Sequence, residues 1–429
     1  MSISPLAQTY STLYRSPDPR LIRCYSPGMC LLDSGRLVAS IDLGGPGVPE
    51  LPGPVRVDPE SADGWQGRIY TSDDRGRSWT HRASALFCHA RPFAAGAAVW
   101  LIGHHGDLVV LRSDDGGESW SEPCELTRGQ QWHQAPCNVH YAHGCVYLVM
   151  ERRVGHEVAG WYVGELAPVL MRARLDADLQ CPESWTFASQ LSFRDVLPGA
   201  RAGQGIEYAG IPFYPCPYPR GTEVAPGRFC APMGWLETNV VRFTDPSHVW
   251  HDPSGRTFHL WMRAHTGGTG YACIAKVVEQ GEKPGTGEMR TMLETAPSGR
   301  RILYVSCPGG QMKFHVLYDE KSALYWLLST QATDSMRRPE LLSADRYGLP
   351  NNERRRLQLH FSRNMVDWCF AGLVAAGPVE RASRHYASMV IDGEDLHVLS
   401  RSGDEGAMNA HDGNLISFHT IRGFRALVY

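Results

Sequence analysis

Short apolar or alternating runs recur in pairs along this chain, each pair joined by a turn rich in Asp and Gly. GMCLLDSG meets RLVASIDLGG across Asp33-Ser34-Gly35. ARPFAAG meets AAVWLIGHHG and then DLVVLRSDDGG, and NVHYAHG meets CVYLVMERR and then PVLMRARLD. Three further units begin with HVWHDPSG, QMKFHVLYDEKS and YASMVIDGED. Apolar runs paired across such turns predict β-hairpins. One small sheet cannot cover both of its faces, so six in series predict radial repetition: an all-β, six-bladed β-propeller. The early run TYSTLYRS is expected to join the last blade and close the ring. Residues 191–240, with YAGIPFYPCPYPRG, do not fit the blade pattern and are expected to be an insertion over one face of a single domain spanning 1–429.

One loop is written twice, SDDRGRSW at 72–79 and SDDGGESW at 113–120, and SRNMVDW at 362–368 is a worn third copy. Each follows the third strand of its unit. Asp74 or Asp115 can accept N–H bonds inside its own turn. Gly76 or Gly117 supplies a positive φ, and Trp79 or Trp120 packs back between sheets. The loops are expected to fasten the fold, not to carry chemistry.

Composition narrows the function. Hydrophobic residues are 43%, charged residues 20% and the net charge −3, an ordinary soluble balance. The longest basic tract is Arg354-Arg355-Arg356, so nucleic acid is not an expected partner. No apolar run reaches the length of a membrane span. The start MSISPLAQTYSTLYR has no basic segment followed by an apolar core, so no signal peptide is expected. A cytoplasmic protein fits, and a processed secreted or periplasmic form stays compatible. The twelve cysteines lack CxxC spacing and read as free, mostly buried thiols such as Cys30, Cys145 and Cys273.

The S-x-D-x-G-x-x-W loop is the Asp box, and with six blade units the chain resembles the sialidase superfamily, whose members are glycoside hydrolases. That resemblance implies three arginines clamping a substrate carboxylate, because guanidinium presents a planar fork that matches it. LWMRAH puts Arg263 at the second arginine, and NNERRRLQLHFS offers Arg354 or Arg355 for the third. The first departs from the pattern: in RCYSPGMCLL, Tyr25 stands two residues before Pro27, and Arg23 lies further upstream. The resemblance implies a nucleophilic tyrosine in ASRHYASMV, where Tyr386 is present although Arg384 fits the spacing better. Its partner carboxylate would be Asp245, with Glu207 and Glu237 as alternatives. An acid/base carboxylate would lie in the loop 43–66, which holds Glu50, Asp58, Glu60 and Asp63.

The hairpin pattern gives an independent list. The start of a first strand and the end of a second share one edge, so these positions should ring one mouth of the channel. Strand starts supply Arg23, Tyr25, His89, His133, Gln134, His248, Gln311, Arg384, His385 and Tyr386. Strand ends supply Asp42, His104, His105, Arg152, Arg153, Arg263, His265, Gln331 and Arg401. A mouth rich in His, Arg and Tyr suits an acidic carbohydrate. The long last loop, SRSGDEGAMNAHDGNLISF, adds His411 beside Asp412 as a candidate acid/base. No HxH or HExxH spacing occurs, and His104 and His105 should point to opposite faces, so neither metal nor other cofactor is expected.

Three functions remain. The leading one is an exo-acting glycoside hydrolase on a terminal sialic, ulosonic or uronic acid. The others are a polysaccharide lyase using a His/Tyr pair and a non-catalytic carbohydrate-binding propeller.

Overall fold

The computed structural model describes residues 4–59, 61–158, 160–196, 222–230, 233–342 and 350–429. Six antiparallel sheets of four or five strands follow one another around a ring. Their innermost strands are Arg23–Leu31, Cys88–Ala95, Trp132–His133 with His140–Ala142, Gly234–Val241, His315–Asp319 and Arg384–Asp392. These six sheets are blades one to six. The outermost strand of blade six is Ser11–Arg15, which pairs with Leu415–Ile421, so the chain start closes the ring.

The core is not central. It lies in six apolar layers, each between two neighbouring blades. Phe93, Trp100 and Ile102 of blade two meet Leu148 and Val169 of blade three. Trp235 and Leu260 of blade four meet Tyr147 and Leu170 of blade three. Leu399 and Phe418 of blade six meet Leu37 and Ile41 of blade one, which completes the circuit. Sheet faces thus bury against each other, and the strand edges at the axis remain for polar groups. Among the described residues, ten cysteines are free thiols, and no helix is long and apolar enough to cross a membrane.

The repeated loops are fasteners at the blade edges. Asp115 accepts hydrogen bonds from Ser113 Oγ (2.8 Å), Ser119 N (3.0 Å) and Ser119 Oγ (2.5 Å), while Gly117 N donates to Ser113 Oγ at 2.8 Å. Asp74 repeats this set with Ser72 and Ser78. The worn copy keeps the plan one residue shorter: Asn364 Oδ1 accepts from Val366 N and Asp367 N, and Met365 takes the positive φ. Asp115→Ala should lower unfolding free energy by about 1–2 kcal/mol, read as a shifted urea midpoint. No shift would show the loop to be dispensable.

Blade four corrects the sequence expectation. Its inner strand is Gly234–Val241, all but the last residue of which lies in the stretch 191–240 assigned to an insertion. HVWHDPSG lies instead in the connection to Thr257–His265. The polar run Glu237-Thr238-Asn239 hid the strand, yet all three side chains are buried and bonded. Asn239 alone reaches blade five twice, from Nδ2 to Phe314 O (3.1 Å) and from Val316 N to Oδ1 (3.0 Å).

Candidate active site

One pocket of about 410 Å³ opens at the predicted mouth. A local device repeated on four blades builds much of its wall. The inner strands of blades one, two, four and six each carry a bulge that sets two residues against one: Ser26-Pro27, His89-Ala90, Glu237-Thr238 and Tyr386-Ala387. The first residue of each has a positive φ: Ser26 37°, His89 50°, Glu237 59° and Tyr386 48°. Non-glycine residues adopt that backbone at a cost, and bulges re-aim side chains at sites. All four line the pocket. On the neighbouring second strand, the residue paired with the position before each bulge is Asp42, His104, Arg263 or Arg401.

Buried carboxyls of neighbouring blades brace two of the bulges. Both oxygens of Asp42 accept from His89 N at 2.9 Å. Glu151 Oε1 accepts from Thr238 N (3.1 Å) and Thr238 Oγ1 (2.8 Å). Burial raises the Asp42 carboxyl well above its usual range and Glu151 to about 8.

Tyr386, Glu237 and Arg263 form one contact group. Arg263 Nη1 donates to Tyr386 Oη at 2.7 Å and lies 3.3 Å from Glu237 Oε2. Its Nε is fixed on Gln311 O at 2.7 Å. Burial lifts the Tyr386 phenol to about 12, against the pull of Arg263. Two more guanidinium groups flank the ring: Arg354 at 5.6 Å and Arg401 at 5.3 Å from its centroid. Arg354 Nη1 bonds His385 Nδ1 at 3.0 Å, so His385 acts behind the wall. Arg401 is also seated 4.3 Å over the Tyr25 ring. Arg263, Arg354 and Arg401 therefore converge on one phenol, and Arg401, not Arg23, accompanies the other two.

Beyond Arg401, three side chains are linked in series. Tyr25 Oη donates to Asp412 Oδ1 at 2.9 Å, and the same oxygen lies 3.0 Å from His411 Nδ1. Removal from water, then Arg401, holds His411 well below the usual imidazole range, while His411 and Asn409 help hold Asp412 low. His133 and His265 also line the pocket.

Other expected site residues lie elsewhere. Asp245 sits in an exposed loop, accepting from Ser247 N and Oγ at 2.8 Å. His248 stacks on Phe243 at 3.7 Å. Both follow the inner strand of blade four, at its far end, because the blade phase was displaced there. Asp63 faces Arg23 at 3.7 Å, and neither lines the pocket. Arg384 is spent on Ser383 O and Gly403 O, both 2.7 Å. Arg355 holds Gly377 O at 2.8 Å, and Gln134 holds Val149 O at 2.9 Å. His104 and His105 do not line the pocket, and Glu207 lies outside the described residues. Four further residues line the pocket: Trp65 from the strand Gly64–Ser72, Trp161 from a loop, and Asn351 and Asn352 from a short 3-10 turn.

Neither a family model nor a curated protein sequence matches this chain. Solved structures do. Trypanosoma rangeli sialidase in complex with the inhibitor DANA aligns at TM-score 0.52 and 12% identity, over 99% of this chain and 60% of that one. The Hadza microbial sialidase Hz136 gives 0.52 and 13%, over 97% and 69%. This chain has the propeller fold of the sialidases. Penicillium chrysogenum alpha-L-arabinanase, complexed with arabinobiose, shares it at TM-score 0.51 and 11% identity, over 99% of this chain and 100% of that one.

The buried histidines set a pH response. His133 and His419 are held neutral down to about 4, and His315 and His385 well below their usual range, all chiefly by burial. The folded pKa values lie below the unfolded one of about 6.5. Stability is therefore complete above pH 6.5 and falls as pH drops, by about 1.4 kcal/mol per pH unit for each histidine. Urea midpoints at pH 7, 6 and 5 should fall steeply. A flat profile to pH 5 would contradict this.

Proposed function

We propose that this protein is an exo-acting glycoside hydrolase that removes a terminal acidic sugar. The observation carrying this reading is the Tyr386–Glu237–Arg263 group, with Arg354 and Arg401 beside the same phenol. The arginines would neutralise and orient a sugar carboxylate. The Tyr386 oxygen would attack the anomeric carbon while Glu237 takes its proton, so that no free phenolate is required; the glycosidic C–O bond breaks in the same step, and the departing aglycone oxygen takes a proton from water. A second attack by water would release the sugar and restore the phenol. Tyr25, Trp65 and Trp161 supply apolar faces for a sugar ring.

A second reading, a lyase acting on a uronate, has its own support. Among the described lining residues Glu237 is the only carboxylate, and His411 is an oriented, neutral base. A lyase would use the arginines to acidify the proton next to the carboxylate. A panel of sialosides, ulosonides and uronides, followed by reducing-sugar release and near-ultraviolet absorbance, separates the two. New absorbance without incorporation of water would replace hydrolysis by elimination. Binding without turnover on the whole panel would leave a binding propeller.

A further inference from the structure

We propose that His89, His104 and His133 form a divalent transition-metal site, with Zn2+ the best-suited ion, in the wall of the central pocket. One ring nitrogen from each histidine lies within 4.8 Å of those of the other two. Spacing along the chain conceals the trio. His89 is the bulged residue of Cys88–Ala95, His104 lies near the end of the neighbouring strand Ala98–His105, and His133 begins blade three.

Several observations point to a ligand. His89 Nδ1 and His104 Nε2 are buried without a hydrogen-bond partner. A buried polar atom without a partner is destabilising, and a metal would satisfy a lone pair. The rings meet at centroid distances of 5.2–5.8 Å, edge to face where His89 meets each of the others and tilted where His104 meets His133.

The support behind the trio is also in place. Asp42 Oδ2 lies 3.7 Å from His89 Nε2, and the same carboxyl fixes the His89 backbone. By holding that backbone the Asp42 carboxyl group fixes where the His89 ring stands. The Trp161 ring meets His133 at 5.0 Å and limits its rotation.

Three imidazoles suit zinc, copper, iron or nickel better than magnesium or calcium. With bonds of about 2.0–2.1 Å, tetrahedral ligand nitrogens stand about 3.3 Å apart, so small ring rotations would close the site. Because His89 and His133 line the pocket, the fourth position faces it. It would take water or a substrate hydroxyl or carboxylate oxygen, on the side of the pocket formed by blades two and three. This departs from the expectation of a metal-free site, which rested on spacing within single strands.

The test uses the full chain without a histidine tag, stripped with chelator and desalted. Zinc is titrated by calorimetry and cobalt by visible absorbance. One equivalent should bind with a dissociation constant of micromolar or below, and cobalt should show the strong visible bands of a four-coordinate site. His104→Ala should weaken binding at least 100-fold, and the triple His89→Ala/His104→Ala/His133→Ala variant should abolish the stoichiometric site while keeping its circular dichroism. Absence of binding by the wild type, or wild-type binding by the folded triple variant, overturns the proposal. Arg263→Ala should keep the cobalt spectrum. Loss of sugar turnover there with metal retained would separate this site from the proposed glycosidase chemistry.

Discussion

Tyr386→Phe is expected to lose about 10³–10⁶-fold in kcat on whichever acidic glycoside is cleaved, the scale of removing a covalent nucleophile. The fold should survive. Phenylalanine keeps the ring between Arg354 and Arg401, and Arg263 retains Glu237 Oε2 at 3.3 Å and Gln311 O at 2.7 Å. The melting temperature should therefore stay near that of the wild type. A fluorinated acidic sugar, which slows the second step, should leave a covalent adduct on the wild type and none on the variant. An adduct on another residue, or full turnover by Tyr386→Phe, would remove Tyr386 from the nucleophile's role.

Arg263→Ala should be nearly as damaging for a different reason. The guanidinium is 4% exposed and contacts the phenol, the carboxylate and a backbone carbonyl together. Its removal leaves Glu237 buried without its ion pair, a loss of about 3–5 kcal/mol in stability. Transition-state binding should fall by about 2–5 kcal/mol, since a charge meant for the substrate is gone. The two losses can be read separately, by urea midpoint and by kcat/KM. Restoring the charge with Arg263→Lys should recover stability better than activity, because a point charge replaces the planar fork. Wild-type kcat/KM in Arg263→Ala would contradict the proposed clamp.

The ring was legible because hairpins leave a period-two pattern and turn residues leave chemistry. Ser11–Arg15 closing blade six and the repeated loops at blade edges follow from that. The pocket lining was legible at strand ends, where Arg263, Arg401 and Tyr386 reach it, and in the segments beside strands that carry Arg354 and His411. It was illegible where polarity masked a strand. Glu237 stood only as an alternative to Asp245, because a buried Glu-Thr-Asn run reads as a loop until its partners across the blades are known. Arg384 matched a spacing rule but turns to backbone carbonyls, since the bulge after His385 presents Tyr386 instead. The histidine trio could not be read from spacing, since its members come from two blades.

The four bulges have a wider consequence. A ring of similar blades tends toward rotational sameness, and a sugar is chiral and lopsided. Each bulge is the same backbone socket, yet the four hold a hydroxyl, an imidazole, a carboxylate and a phenol, from Ser26, His89, Glu237 and Tyr386. The socket residues lie outside the ladder pairing, so their identity can diverge with little disturbance to the apolar layers between blades. Near-symmetric architecture thereby yields an asymmetric chamber, and new specificities can arise by refitting one socket at a time.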